Sequence, residues 1–201
     1  ICSNVTKIPM KELAQNSASI KHGMSNEDGK IFIKEFPPAT ITANQLKAFI
    51  KKFEEQGIKL DAIVLDYLNL MHSTVGNNSY ERIKHVTEQV RAMSYLFNCP
   101  IISATQLNRA GFDTDNPDLA TISESIGLAA TADAIISIFQ NEEDRGIGVI
   151  RLGMMKNRYG PRGNTQAMRI DYSTLTIEQA DDIEIGEDMD DTLNVLAGLA
   201  Q

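Results

Sequence analysis

Between residues 42 and 104 the apolar positions alternate between helical and strand-like spacing. Leu46, Phe49, Ile50 and Phe53 follow Thr42-Ala43-Asn44-Gln45, a capping box, at helical spacing, and Gly57 closes the segment. Residues 62–65 (Ala-Ile-Val-Leu) form a short continuous apolar run, the kind buried on both faces of a parallel sheet. A polar loop, 72–79, leads into a second long amphipathic helix carrying Ile83, Val86, Val90, Met93 and Phe97, and 100–104 is the next buried strand. Upstream, residues 9–22 read as a short helix opened by Pro9, 24–30 as a turn, and 31–36 as a strand stopped by Pro37-Pro38. Downstream, the pattern predicts a small-residue helix over 124–131, a strand over 134–139 and a hairpin-type turn over 141–146. A strand over 149–155 follows, and 166–171 and 175–177 close the sheet as an antiparallel edge. Strand, helix, strand, helix, strand predicts an α/β fold with a mostly parallel central sheet flanked by helices.

Composition narrows the class. With 42% apolar residues the chain can build a core, and its 201 residues suit one domain plus a tail. No apolar run approaches the roughly 18 residues of a membrane span, so no membrane partner is expected. The chain opens Ile1-Cys2-Ser3 without a charged-then-apolar leader, which predicts no signal peptide and a piece of a longer protein. Cys2 and Cys99 have no paired spacing, which argues against a disulfide framework or a cysteine zinc site and suits a reducing compartment. His22, His72 and His85 lack metal-ligand spacing.

The net charge of −8 is unevenly placed. Eight acids and no Lys or Arg lie between Ser173 and Gln201, leaving nineteen acids against nineteen bases in residues 1–172. The body is neutral, which neither requires nor forbids a basic nucleic-acid groove. The tail, 179–201, is acidic and disfavours compaction. Yet Leu193, Val195, Leu196 and Leu199 suit a short amphipathic helix that could dock on a partner; a solvated tail is the alternative.

Ligands of open α/β sheets sit beyond the carboxyl ends of the strands, so polar residues there draw attention. Asp66 directly follows 62–65; an acid at that point suits a Mg²⁺–nucleotide site or serves as a cap. Gln106 follows the strand over 100–104; it suits contact with a γ-phosphate or its attacking water, or satisfies loop backbone. Lys156 and Arg158 are two apart at the end of the 149–155 strand and project to one side of an extended backbone, before Gly160-Pro161. They make an anion clamp or an ordinary basic hairpin.

Together, Leu65-Asp66-Tyr67-Leu68-Asn69-Leu70-Met71, Ser103-Ala104-Thr105-Gln106-Leu107-Asn108-Arg109 and Lys156-Asn157-Arg158-Tyr159-Gly160-Pro161-Arg162-Gly163 resemble the later motifs of DnaB-type replicative helicases. Residues 122–133, rich in small side chains, resemble the segment before the last core strands, as in phage-type members. The resemblance covers roughly 31–172 and implies a RecA-like ATPase core. It implies that Asp66 holds Mg²⁺ through water and that Gln106 senses the γ-phosphate of ATP. It also implies that Lys156 and Arg158 reach across a subunit boundary as a trans-acting lysine and arginine finger. DNA contacts are implied at Ser123, Glu124 and Ile126, largely through backbone amides to phosphate, with Arg109 the nearest cation. The loops 72–78 and 111–119 take the places that face the central channel, although Asp113, Asp115 and Asp118 give the second little attraction for DNA.

One departure stands out. A P-loop, G-x-x-x-x-G-K-[ST], is required, and Gly23-Met24-Ser25-Asn26-Glu27-Asp28-Gly29-Lys30-Ile31 has one residue too many between its glycines. Ile31 also replaces the Mg²⁺-binding hydroxyl, and a strand is expected where a helix should follow. The segment reads as a turn, and no glutamate is identifiable as the catalytic base. The expectation is therefore an ATPase-domain fragment. Residues 1–30 would be a remnant of upstream core, 31–178 the RecA-like helicase core and 179–201 the tail. The resemblance implies that the whole protein hydrolyses ATP and translocates on single-stranded DNA as a homo-oligomeric ring, a hexamer, with a helicase loader and primase as partners. Its place would be the bacterial host cytoplasm. The alternatives are a RecA-family recombinase-type ATPase, which the paired Lys156 and Arg158 disfavour, and a non-catalytic RecA-like module, which retention of all four site residues disfavours.

Overall fold

A computed structural model describes residues 1–25, 29–106 and 126–180. They form two compact units. One comprises 30–137 and 154–163; the other comprises 1–29, 138–153 and the residues from 164 onward.

In the first unit, α3 (Ala43–Glu55) and α4 (Ser79–Phe97) pack with β1 (Ile63–Leu65) and β2 (Ile101–Ser103). Thr42 and Gln45 make the expected capping box at the start of α3. Its end is a Schellman turn: Ile58 N–H donates to Phe53 O at 2.8 Å and Gly57 N–H to Glu54 O at 2.9 Å. Gly57 sits at φ +74°, where a side chain would be strained. Helix α4 starts on the Asn78 side chain, which accepts from Glu81 N–H, and ends at Asn98 in the left-handed region. Its Val86, Val90 and Met93 join Leu46 and Ile50 of α3 in the core.

Strands β1 and β2 pair in parallel, Ile63 opposite Ile101 and Leu65 opposite Ser103. Residues 31–36 are not a strand. Phe32 meets Phe53 edge-on at 4.9 Å and Phe36 meets Phe49 at 5.6 Å, so the aromatic groups lie along α3 while Ile33 stays exposed. Ring packing, not strand pairing, takes up this apolar segment. The unit also holds α5 (Ile126–Thr131).

In the second unit, α1 (Cys2–Thr6) and α2 (Ser17–Ser25) flank a 3₁₀ turn, Met10–Glu12, that follows Pro9. The single helix expected over 9–22 is thus two pieces. Met10 N–H donates to Ser173 O at 2.9 Å and Lys7 pairs with Glu178 at 3.3 Å, tying residues 1–12 to the β5–β6 turn region described next. Gly23 lies inside α2, where a Cβ would come within 2.9 Å of Thr6 Cγ2. That glycine serves helix packing, and residues 24 and 25 continue α2 where the sequence predicts a turn; 26–28 lie outside the described residues.

Strands β3 (Ala134–Phe139), β4 (Val149–Asn157), β5 (Thr165–Asp171) and β6 (Thr176–Gln179) form one sheet in that order, with β4–β5 and β5–β6 antiparallel. Among the described residues the parallel pair β1–β2 is a sheet separate from these four strands, and β5 and β6 form the expected antiparallel edge. Residues 141–146 are a helix, α6 (Glu142–Gly146), not a hairpin turn. Asn141 and Asp144 cap it reciprocally, and Asp144, buried, takes both Arg151 Nε (2.8 Å) and Nη2 (2.9 Å). Strand β6 extends to Gln179 and Ala180 is buried; residues 181–201 of the acidic tail lie outside the described residues. No helix among the described residues is long and apolar enough to cross a membrane.

Candidate nucleotide and finger site

Asp66 leaves the carboxyl end of β1, exposed, and makes no hydrogen bond or ion pair among the described residues. Gln106, also exposed, lies three residues beyond the end of β2. The register of the parallel pair sets the ends of both strands level, so both side chains depart from one edge.

Ser103 organises this edge. Its hydroxyl donates to Leu65 O at 2.9 Å and accepts from Leu68 N–H at 3.2 Å, clamping the chain on either side of Asp66-Tyr67. Sequence reasoning placed Ser103 only in a motif; a hydroxyl at the end of an apolar strand was the available signal. Ser103→Ala removes both bonds and is expected to destabilise the chain by about 1–2 kcal/mol, read as a lower urea midpoint.

Asn69 Oδ1 and Thr105 Oγ1, on the segments that leave the same edge, are buried without a hydrogen-bond partner among the described residues. With the Asp66 carboxylate they are hard oxygen donors, the kind that a hydrated Mg²⁺ takes. The residues present fit that group.

The second cluster stands at the end of β4. The strand runs two residues further than its pattern predicts, so Lys156 lies within it and Arg158 directly after it. Lys156 Nζ donates to Ala129 O (2.7 Å) and Ala130 O (3.0 Å) near the C-terminal end of α5, where carbonyls attract a cation. Burial first, and the neighbouring Arg158 charge second, push the Lys156 ammonium below its ordinary value. Arg158 Nη1 lies 2.6 Å from Asp133 Oδ1, and its backbone N–H donates to Asp133 O at 2.9 Å.

Arg91, from α4, reaches the same Asp133 Oδ1 with Nη2 at 2.8 Å and also donates to Thr131 O. One carboxylate thus faces two guanidiniums, with an ammonium close by. Beyond Arg158 the chain turns back: Asn157 Oδ1 accepts from Tyr159 N–H, Asn157 Nδ2 donates to Pro161 O, and Gly163 N–H donates to Met154 O. A Cβ at Gly160 would come within 2.8 Å of Asn157 Nδ2, so a larger residue there would have to displace the Asn157 amide from its bonds to the turn.

The structure thus brings Lys156 and Arg158 together, with Arg91 and Asp133, which sequence reasoning did not assign to the site. Arg91 is more than forty residues from Asp133 in sequence, and only the fold joins them. Of the DNA-contact candidates, Arg109, Ser123 and Glu124 lie outside the described residues, as does the loop 111–119. Ile126 is the first residue of α5. The other loop, 72–78, folds against the start of α4, with Asn77 N–H donating to Glu81 Oε2 at 2.7 Å.

The model of the DnaB-like helicase C-terminal domain family matches residues 3–175. The chain belongs to that family. The match starts well before residue 31, so the family likeness extends through the N-terminal segment as well. This DnaB-like domain is 25% identical over 139 residues to the DnaB-like replicative helicase of Enterobacteria phage T4, covering 67% of this chain and 29% of that protein. It is 29% identical over 164 residues to the replicative DNA helicase DnaB of Mycoplasma pneumoniae, covering 73% and 34%. The chain spans about a third of the length of the curated relatives it matches. A solved DnaB-like replicative helicase, described with its primase interactions, superposes with a TM-score of 0.74 at 17% identity over 90% of this chain and 47% of that one. The RadB recombinase superposes less well, with a TM-score of 0.51 at 16% identity over 85% of this chain and 71% of that one. These likenesses establish the RecA-like α/β fold, and the family match decides against the recombinase alternative.

Proposed function

We propose that this DnaB-like domain is part of an ATP-dependent replicative DNA helicase that works as a ring, hexameric in our reading, on single-stranded DNA. The observation that carries the proposal is the gathering of positive charge at the end of β4, where, among the described residues, Arg158 and Arg91 share the Asp133 carboxylate and Lys156 stands beside them on the α5 carbonyls. A polyphosphate presented by a neighbouring subunit is the complementary anion. Phosphoryl transfer is catalysed largely by positioning and by neutralising charge on the equatorial oxygens, which Arg158 and Lys156 would do in trans.

At the other cluster, Asp66 would hold Mg²⁺ through water, and Gln106 would orient toward the γ-phosphate. Bound there, Mg²⁺ would supply neutralisation of the nucleotide's phosphate charge. Ser123, Glu124 and Ile126 would meet the DNA backbone, with Arg109 nearby. A primase and a helicase loader are the partners this reading implies, with the acidic tail a candidate docking peptide for the loader, and the host cytoplasm is the place.

The test compares two preparations. The 201-residue chain, which contains no G-x-x-x-x-G-K-[ST] motif, is expected to show no magnesium-dependent ATP turnover above an Asp66→Ala control. The full-length protein is expected to show turnover stimulated by single-stranded DNA and abolished by Asp66→Ala. Turnover in the chain alone that depends on Asp66, or a full-length protein indifferent to DNA, would overturn the proposal.

A further inference from the structure

We infer that Asp133 is a positioning residue for Arg158: it aims the guanidinium outward from the end of β4, and Arg91 holds Asp133 in place to do so. The inference rests on the reading of Arg158 as a trans-acting finger.

Asp133 grips Arg158 at two points. Its backbone carbonyl accepts the Arg158 N–H at 2.9 Å, and its Oδ1 lies 2.6 Å from Nη1. The first contact fixes the root of the side chain and the second fixes the head. A long, flexible side chain is thereby confined without being consumed. Guanidinium carries five N–H donors in a fixed fork. Among the described residues only the Nη1 end is engaged, and the side chain is 38% exposed. The remaining donors are left to meet an anion from outside, so Arg158 need not leave Asp133 in order to act.

Arg91 makes this arrangement stiff. It springs from α4, beside the buried Thr87 and Val90, and its side chain is 21% exposed. Besides Asp133 it contacts Thr131 O and the Tyr95 hydroxyl (3.2 Å), and its guanidinium stacks 5.7 Å from the Tyr95 ring. Such a guanidinium cannot follow Arg158 outward. It holds the Asp133 oxygen from α4 while the more exposed Arg158 approaches the same oxygen from the end of β4. Two like charges drawn to one oxygen also repel each other, which directs Arg158 away from Arg91 and toward solvent. Pre-arranged charge of this kind costs no reorganisation when the reaction occurs.

Asp133→Asn in the full-length protein tests the inference, because it keeps the side-chain shape and the backbone bond and removes the charge. A loosened finger is expected to lower kcat roughly 10- to 100-fold while KM for ATP stays within about twofold. In an Arg158→Ala background the same substitution is expected to change kcat no further, since there is no finger left to aim. In mixed rings with a P-loop mutant, Asp133→Asn subunits should be complemented as Arg158→Ala subunits are. Asp133→Glu, which keeps the charge, is expected to recover part of the loss.

A kcat loss that persists undiminished in the Arg158→Ala background, or one accompanied by an equal rise in KM, would overturn the inference and make Asp133 a general structural residue. So would unchanged kcat in Asp133→Asn while Arg158→Ala is inactive. If Arg158→Ala is itself fully active, the finger assignment fails first, and with it the reason for positioning.

Discussion

In the full-length protein, Arg158→Ala is expected to lower kcat by roughly 10³-fold or more while leaving nucleotide affinity comparatively intact. The magnitude follows from the task. A finger meets charge that develops on the transferring phosphoryl group, so its removal acts on the transition state and not on the bound ground state. The substitution leaves Asp133 paired with Arg91, so no buried charge is abandoned and the local fold should persist. Steady-state turnover and nucleotide titration separate the two effects. Rings mixed from Arg158→Ala subunits and P-loop mutant subunits should regain activity at boundaries that join two intact halves. Mixing without recovery, in rings shown to exchange subunits, would point to a finger acting in cis or to a merely structural arginine.

The largest stability effect is expected at Arg151. Asp144 is 2% exposed, with its carboxylate gripped bidentately by Arg151, whose side chain is 22% exposed. Arg151→Ala leaves a buried carboxylate without its counter-ion and is expected to cost about 3–5 kcal/mol, measured by urea denaturation. Arg151, then the backbone bond at Asn141, hold the Asp144 carboxyl below its ordinary value against the opposing effect of burial. A carboxyl with a depressed folded-state value stabilises the fold above its unfolded-state value and loses that contribution as pH falls through the folded one. The native chain should therefore lose stability below about pH 3.9, and Arg151→Ala should flatten that part of the profile. A variant as stable as the native chain at neutral pH would show that the pair contributes nothing.

The parts of the fold that were legible are those with local causes. Thr42 and Gln45 announce α3, Gly57 its end, and the spacing from Ile83 to Phe97 marks α4. Residues 31–36 misled because a short apolar run does not say whether it will face a neighbouring strand or the rings of Phe49 and Phe53. The helix at Glu142–Gly146 was read as a turn because a cap made of Asn141 and Asp144 uses the residue types that turns also favour. At the site, the pairing of Lys156 with Arg158 could be read from a two-residue spacing on extended backbone. Their partners could not. Arg91 and Asp133 meet only because α4 packs along the segment that leads into β3, a relation no local pattern encodes.

The turn after Arg158 has a practical use in optical spectroscopy. Tyr159 is 82% exposed, its backbone is anchored on Asn157, and the chain contains no tryptophan. In this chain, Tyr159→Trp would install a single indole whose emission belongs to one known position beside the finger, free of background from any other indole. Quenching by a soluble iodide ion would then report how open that position is to solvent, and a change in emission anisotropy would report how tightly the turn is held.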